Sequence, residues 1–186
     1  MSVPEMMDFL NSAFNSMLNS SGNLFSGQEW LPLIHSDITP HLSDDDVVDI
    51  FMPVVFEYGG SAVSAAGQEK VKPTGELLVG ALVTAQDRAI LAWSKGMIRL
   101  RTFSEVIPYA TVRSVAPFTM STKMEQLPAF EVFTDDGTRW PFTFSNNLKY
   151  KGVDIVRWRD RMVRRFEGWQ PEFDGAAVVR WTAPSP

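Results

Sequence analysis

The 186-residue sequence has no cysteine. This excludes disulfides, thiolate nucleophiles and every zinc site that draws on sulfur, and it gives no support to an extracellular disulfide scaffold. Histidine is nearly as scarce, with only His35 and His41. Their spacing, broken by Pro40, fits no helical ligand pair, so with Asp37 between them they read as loop histidines rather than a metal site. Lysine and arginine are missing from residues 1–69, a stretch that carries ten acids. The most apolar window, Val47 to Phe56, is interrupted by Asp49 and Pro53 and falls short of the roughly 20 residues that span a bilayer. The N-terminus, Met1-Ser2-Val3-Pro4-Glu5, has neither the basic start nor the apolar run of a signal peptide. The expected location is the cytoplasm, with peripheral attachment to a membrane as its variant.

Catalytic motifs are also missing. There is no Gly-x-Ser-x-Gly elbow and no Gly-x-x-x-x-Gly-Lys-Ser/Thr phosphate loop. Asp44-Asp45-Asp46 lacks the alternating ligands, central glycine and terminal glutamate of a calcium loop. With two histidines and no cysteine, an enzyme would need carboxylate or lysine chemistry, and no such pairing is visible. The expectation is a non-catalytic protein with no cofactor and no metal.

What is present is hydrophobic and aromatic enough, at 45% and 12%, for a packed core. All 17 basic residues follow residue 69, against the remaining 12 acids, so an acidic N-terminal third precedes a mildly basic remainder. That asymmetry suits a solvating arm, an intramolecular cover, or two surfaces meant for one another in an oligomer. Within the acidic third, Met6, Met7, Leu10, Phe14, Met17 and Leu18 fall on one face of a predicted helix, capped by Ser2. Such a face packs on its own domain or serves self-association or a partner, because methionine adapts to varied surfaces. A second, short helix is predicted from Asp44 to about Phe51, with Ser43 as its cap. The Gly-, Ala- and Ser-rich run Gly59 to Gly67 reads as a linker, which places a boundary near Glu69. The division is an extension over 1–68, a domain over 69–170 and a Pro/Ala-containing tail over 171–186. In the tail, Val178, Val179 and Trp181 offer a short edge strand.

The central stretch reads as strands: Leu77 to Val83, Arg88 to Trp93, Met97 to Arg101 and Val112 to Val115. Asp136-Gly137 between Pro128–Phe133 and Arg139–Phe144 is a hairpin signal, and Pro141 argues for an edge or a bulge in its strand. A helix from about Lys151 to Glu167 has Ile155, Trp158, Met162, Val163 and Phe166 on one face and Gly168 beyond its end. Its other face is basic: Arg157, Arg161, Arg164 and Arg165 are the candidate basic surface, although Asp154, Asp160 and Glu167 interleave.

Antiparallel strands followed by one amphipathic helix is the element order of a pleckstrin-homology-like domain. The stretch Ala81-Leu82-Val83-Thr84-Ala85-Gln86-Asp87-Arg88-Ala89-Ile90-Leu91 resembles the strand, Thr-x-x-x-Arg, strand pattern of the bacterial PH-like and GRAM-like families, and Val106 to Val115 resembles a second segment of theirs. The resemblance covers about residues 76–167. It implies a mainly β (α+β) fold, an antiparallel barrel or sandwich capped by the C-terminal helix and preceded by a partly helical extension. It also implies a non-catalytic interaction or self-assembly module. Eukaryotic PH domains often bind phosphoinositides through a Lys/Arg cluster between their first two strands. Thr84 to Arg88, taken as that connector, offers one base and one acid, which weighs against headgroup binding. A protein partner or a homo-oligomer ranks first, an anionic membrane surface second and nucleic acid last, since the domain lacks a strong basic excess.

Overall fold

A computed structural model describes residues 36–43, 45–46, 48, 50–61, 63–65, 71–95, 101–122, 126–143, 155–174 and 177–184. The strands run β1 (Ile50–Tyr58), β2 (Glu76–Thr84), β3 (Arg88–Lys95), β4 (Arg101–Pro108), β5 (Val112–Ser121), β6 (Gln126–Thr134) and β7 (Arg139–Thr143). After α1 (Ile155–Phe166) come β8 (Gln170–Asp174) and β9 (Ala177–Thr182). The first seven form one antiparallel sheet in the order β4-β3-β2-β1-β7-β6-β5. Among the described residues its halves meet only where Val55 and Phe56 of β1 pair with Thr143 and Phe142 of β7. β4 and β5 lie at opposite ends of that order, yet only Tyr109–Thr111 separates them in the chain. So short a link forces the sheet to roll round on itself, and among the described residues no β4–β5 ladder closes it.

The core lies inside the roll. Val54 and Phe56 of β1, Leu78 and Leu82 of β2, Leu91 and Trp93 of β3, Phe130 and Val132 of β6 and Phe142 of β7 are buried together. Met162 and Phe166 of α1 join them, with Ile155, Trp158 and Val163 packed alongside, so the apolar face read from the sequence is the one that caps the core. Phe166 reaches Tyr109, Phe130 and Phe142 at 5.7, 5.9 and 6.1 Å between ring centroids. Gly168, at φ +85°, lets the chain leave the helix: its N–H donates to the Arg165 carbonyl and that of Trp169 to the Arg164 carbonyl. These two bonds close the helix end that an αL glycine permits.

β2 and β3 carry uninterrupted apolar sequence because both their faces are buried. Ala81, Val83, Ile90 and Ala92 point away from the core yet are as inaccessible as Leu82 and Leu91. On that outer face, Arg88 and Ser104 hold the segment around His41 and Asp46, and Ile38 and Val48 of the same stretch are buried. Outside β5 and β6, Ala65 and Val71 of the β1–β2 connection cover Phe118, Met120 and Ala129.

Four local expectations change. The helix predicted from Asp44 is replaced by a single turn: the Ser43 N–H and hydroxyl both donate to Asp46, the Asp46 N–H returns to the Ser43 carbonyl, and β1 begins at Ile50. β1 lies in the middle of the sheet, so the sheet draws a strand from the N-terminal side of the expected Glu69 boundary. The strands read as first and second are therefore the second and third, and the first connection is 59–75 rather than Thr84 to Arg88. Pro141 sits in an inner strand, but the β1 ladder stops at Phe142, one residue before the proline's missing N–H would be needed. Among the described residues the tail supplies no edge strand to the main sheet: β8 and β9 pair as a separate hairpin, Pro171 opposite Trp181.

Candidate interaction surface

The Thr84-x-x-x-Arg88 motif forms the turn at which remote parts of the chain are tied. The Ala85 N–H donates to the Arg88 carbonyl at 2.8 Å, and the Tyr109 N–H to the Asp87 carbonyl at 2.9 Å. Arg88 donates to the His41 carbonyl from Nε (3.1 Å) and Nη2 (2.8 Å), and pairs with Asp46 at 2.6 Å and Asp87 at 2.5 Å. Burial pushes the Asp46 carboxyl up, but the Ser43 hydrogen bonds and Arg88 outweigh it and hold the group below its ordinary value. Burial likewise works against the charge of Arg88, and Asp87 and Asp46 reverse it, raising its pKa. His41 Nε2 lies 3.0 Å from the Ser104 hydroxyl, which ties this histidine to β4. His35 lies outside the described residues.

Arg165, placed by the sequence on the basic surface, is 1% exposed and belongs to the interior. It donates to the carbonyls of Ala85, Gln86 (3.5 Å) and Trp169 (2.6 Å) and to the side chain of Gln170 (3.0 Å). Its guanidinium also lies 5.1 Å from the Tyr109 ring centre. Helical spacing put it with the other arginines, and a turn of carbonyls across 80 residues of chain, invisible to periodicity, takes it inward. Arg157 and Arg164 are exposed and Arg161 is half-buried. Arg161 lies over Trp158 at 5.1 Å and Arg164 over Trp181 at 5.6 Å. The basic surface is thus reduced to three residues, two of which rest on aromatic rings. Met6, Met7, Leu10, Phe14, Met17 and Leu18 lie outside the described residues.

The sequence reading missed a buried ionic group outside β1, β6 and β7. Glu57 accepts from the Thr74 N–H (2.6 Å) and hydroxyl (2.9 Å) and the Gly75 N–H (2.5 Å). Glu131 accepts from the Ser64 hydroxyl (2.5 Å) and the Ala65 N–H (2.9 Å). Arg139 lies between them, 2.8 Å from Glu131 and 3.4 Å from Glu57, and donates to the Ser61 carbonyl at 3.1 Å. Burial raises the Glu131 carboxyl, yet the Ser64 and Ala65 hydrogen bonds and Arg139 together hold it below its ordinary value. The group clamps the β1–β2 connection to the sheet, and each carboxylate is occupied by that task. Among the described residues no cluster of histidine and carboxylate ligands could hold a metal ion.

A strip of rings forms the exposed feature of the roll. Trp93 meets Phe56 edge-on at 5.3 Å, Tyr58 at 6.0 Å, and Phe103 in a stack at 5.6 Å and 18°. Gly80 sits opposite Trp93 in the ladder, where a side chain would lie 3.3 Å from Phe56 and Trp93 and 2.7 Å from the Ala92 carbonyl oxygen. Its missing side chain is the space these rings occupy. The strip opens to solvent at Tyr58, 46% exposed, and at Phe103, 41% exposed. Phe103 lies on β4, and among the described residues the outer edge of β4 has no strand paired to it. By contrast, Val71 bridges the β5 edge at Met120. An open edge ending in a stacked aromatic is a place where another chain can add.

Comparisons with solved structures give low-identity likenesses. The chain is similar to the C-terminal domain of an unknown protein from Leishmania infantum (10% identity, TM-score 0.43, 73% of this chain and 95% of that one). It is also similar to a pleckstrin homology domain from Shewanella amazonensis SB2B (12%, 0.41, covering 72% and 94%). A third is the hSac2 domain from human phosphoinositide phosphatase Sac2 (12%, 0.44, covering 76% and 83%). No protein-family model matches the sequence, and comparison with curated proteins finds no match. No helix among the described residues is long and apolar enough to cross a membrane.

Proposed function

We propose that this chain is a non-catalytic interaction module of pleckstrin-homology-like build, and that a protein partner docks on the open edge of β4. The observation that supports the reading is the ring strip from Phe56 through Trp93 to the exposed Phe103, which carries core aromatics out to a strand whose outer edge is unpaired among the described residues. Aromatic groups beside free backbone donors and acceptors suit strand addition, in which main-chain bonds give affinity and side chains give selectivity. The non-catalytic part rests on the employment of Glu57, Glu131, Arg139, Asp46 and Arg88, each occupied in holding segments of the chain together.

The test is a photo-cross-linking amino acid in place of Phe103 in the full chain, in cells. A discrete protein adduct at that position supports the reading, and no adduct overturns it. A second reading, an anionic lipid surface met by α1, is favoured by Arg157, Arg161 and Arg164 on its outer side. It requires salt-sensitive sedimentation with phosphatidylserine vesicles that Arg157→Glu/Arg164→Glu abolishes.

A further inference from the structure

We infer that the partner on the β4 edge is a second copy of this chain, paired antiparallel to itself about a two-fold axis at Phe103. The inference rests on the docking reading above and names its occupant. In the β3–β4 ladder Arg88 opposes Pro108, and the Tyr109 N–H bonds the Asp87 carbonyl. Antiparallel alternation then turns the backbone groups of Arg101, Phe103 and Glu105 toward β3, and leaves those of Thr102, Ser104 and Val106 facing outward. An added strand therefore bonds to Thr102 and Ser104, and Phe103 falls at a non-hydrogen-bonded position, where facing side chains come nearest.

Self-pairing about Phe103 places Thr102 opposite the partner's Ser104 and Arg101 opposite the partner's Glu105. By symmetry this charged pair forms twice, once on each side of the axis. Arg101, Phe103 and Glu105 are exposed on the same face, so charges and rings meet at once. The Trp93–Phe103 stack continues into the partner's Phe103 and Trp93, joining two ring strips into one.

Neighbouring registers lack this match. Moving the axis to Glu105 sets carboxylate against carboxylate, and moving it to Arg101 sets guanidinium against guanidinium. An axis at Ser104 puts Phe103 against a carboxylate. Only the Phe103 register pairs unlike charges and like rings, which is the self-complementarity that a two-fold interface demands. A contact of one strand per copy is small, so the dimer is weak and dissociates on dilution.

The experiment is sedimentation equilibrium of the full chain over a concentration series, for the wild type, Arg101→Glu, Glu105→Arg and the double exchange Arg101→Glu/Glu105→Arg. These positions are exposed, so folding is undisturbed, and circular dichroism checks it. Each single exchange brings like charges together at both ends, and the association constant is expected to fall at least about tenfold. The double exchange restores opposite signs and is expected to return association to within a few-fold of the wild type. A wild type that stays monomeric throughout, or single exchanges that leave association unchanged, overturns the inference. If the wild type is monomeric while the cross-linker at Phe103 captures a different protein, the docking reading stands and the self-pairing fails. If the cross-linker captures nothing, both fail.

Discussion

Arg165, at the end of α1, donates a hydrogen bond to the carbonyl oxygen of Ala85 in the β2–β3 turn. Three further acceptors, from Gln86, Trp169 and Gln170, complete its surroundings, and Gln170 itself returns to the Gln86 carbonyl at 3.0 Å. One side chain thus locks the capping helix to the Thr-x-x-x-Arg turn. Arg165→Met keeps the volume and removes the donor to the buried Ala85 carbonyl and to the Trp169 carbonyl. Its expected cost is about 3 kcal/mol in urea unfolding, the range seen when one partner of a buried charged group is removed. Arg165→Lys reaches fewer of the carbonyls and recovers only part of it.

Two glycines separate close approach from backbone conformation. A side chain at Gly75 would lie 2.5 Å from the Gly60 nitrogen and from the Tyr58 carbonyl oxygen, both of them backbone that cannot swing aside. Gly75→Ala should therefore cost about 2 kcal/mol or more, as overpacking does. Gly137, at φ +84° in the β6–β7 hairpin, has nothing within 4 Å of the added carbon. Gly137→Ala then meets only the αL penalty, about 1 kcal/mol. Thermal or urea unfolding of the two variants checks the order.

Stability should fall in acid through Glu131 and Asp46. Both carboxyls are held below their ordinary values in the folded state, so the unfolded chain takes up their protons first as pH drops. Their contribution is complete above the unfolded values near pH 4 and is lost as pH falls through the lower folded ones. The urea midpoint should hold level from neutral pH to about pH 5.5 and decline below about pH 4.5. Glu131→Gln should lower the midpoint at pH 7 and flatten that decline, so the gap between variant and wild type narrows in acid. A constant gap at all pH values would assign the loss to packing alone.

The strands from Leu77 to Trp93, the Asp136-Gly137 hairpin and the apolar face of α1 were legible because each depends on local periodicity or turn chemistry. The start of β1 was hidden: the Ser43–Asp46 turn imitates a helix start, and only the Arg88 contact shows what it does. Arg165 shows the same limit from the other side. Its helical position predicts a wet face, and a carbonyl turn remote in sequence buries it. The edge of β4 was not legible at all. Whether a strand lies inside a sheet or ends it depends on the strand order, and alternation along Arg101 to Pro108 is the same in both cases.

Arg88 offers the sharpest test that the segment around His41 is part of the domain. Its guanidinium carries two bonds to the His41 carbonyl and one to Asp46, while the His41 ring meets Ser104. Beneath these contacts lie Ala81, Val83, Ile90 and Ala92, apolar positions on the outer face of the sheet that are fully buried. Arg88→Gln removes the fork and leaves the Asp46 carboxylate with the Ser43 donors alone. The expected loss is about 2 kcal/mol, as for charged hydrogen bonds. The diagnostic readout is local. Amide exchange should rise in residues 38–48 and in β2 and β3, while the far side of the sheet, β5 to β7, should change only by the global loss. If the segment were an independent arm, exchange in β2 and β3 would stay as it is in the wild type. Arg88→Lys keeps the charge but not the fork, so a protection pattern close to that of Arg88→Gln would show that the paired bonds to the His41 carbonyl, more than the charge, hold the cover in place.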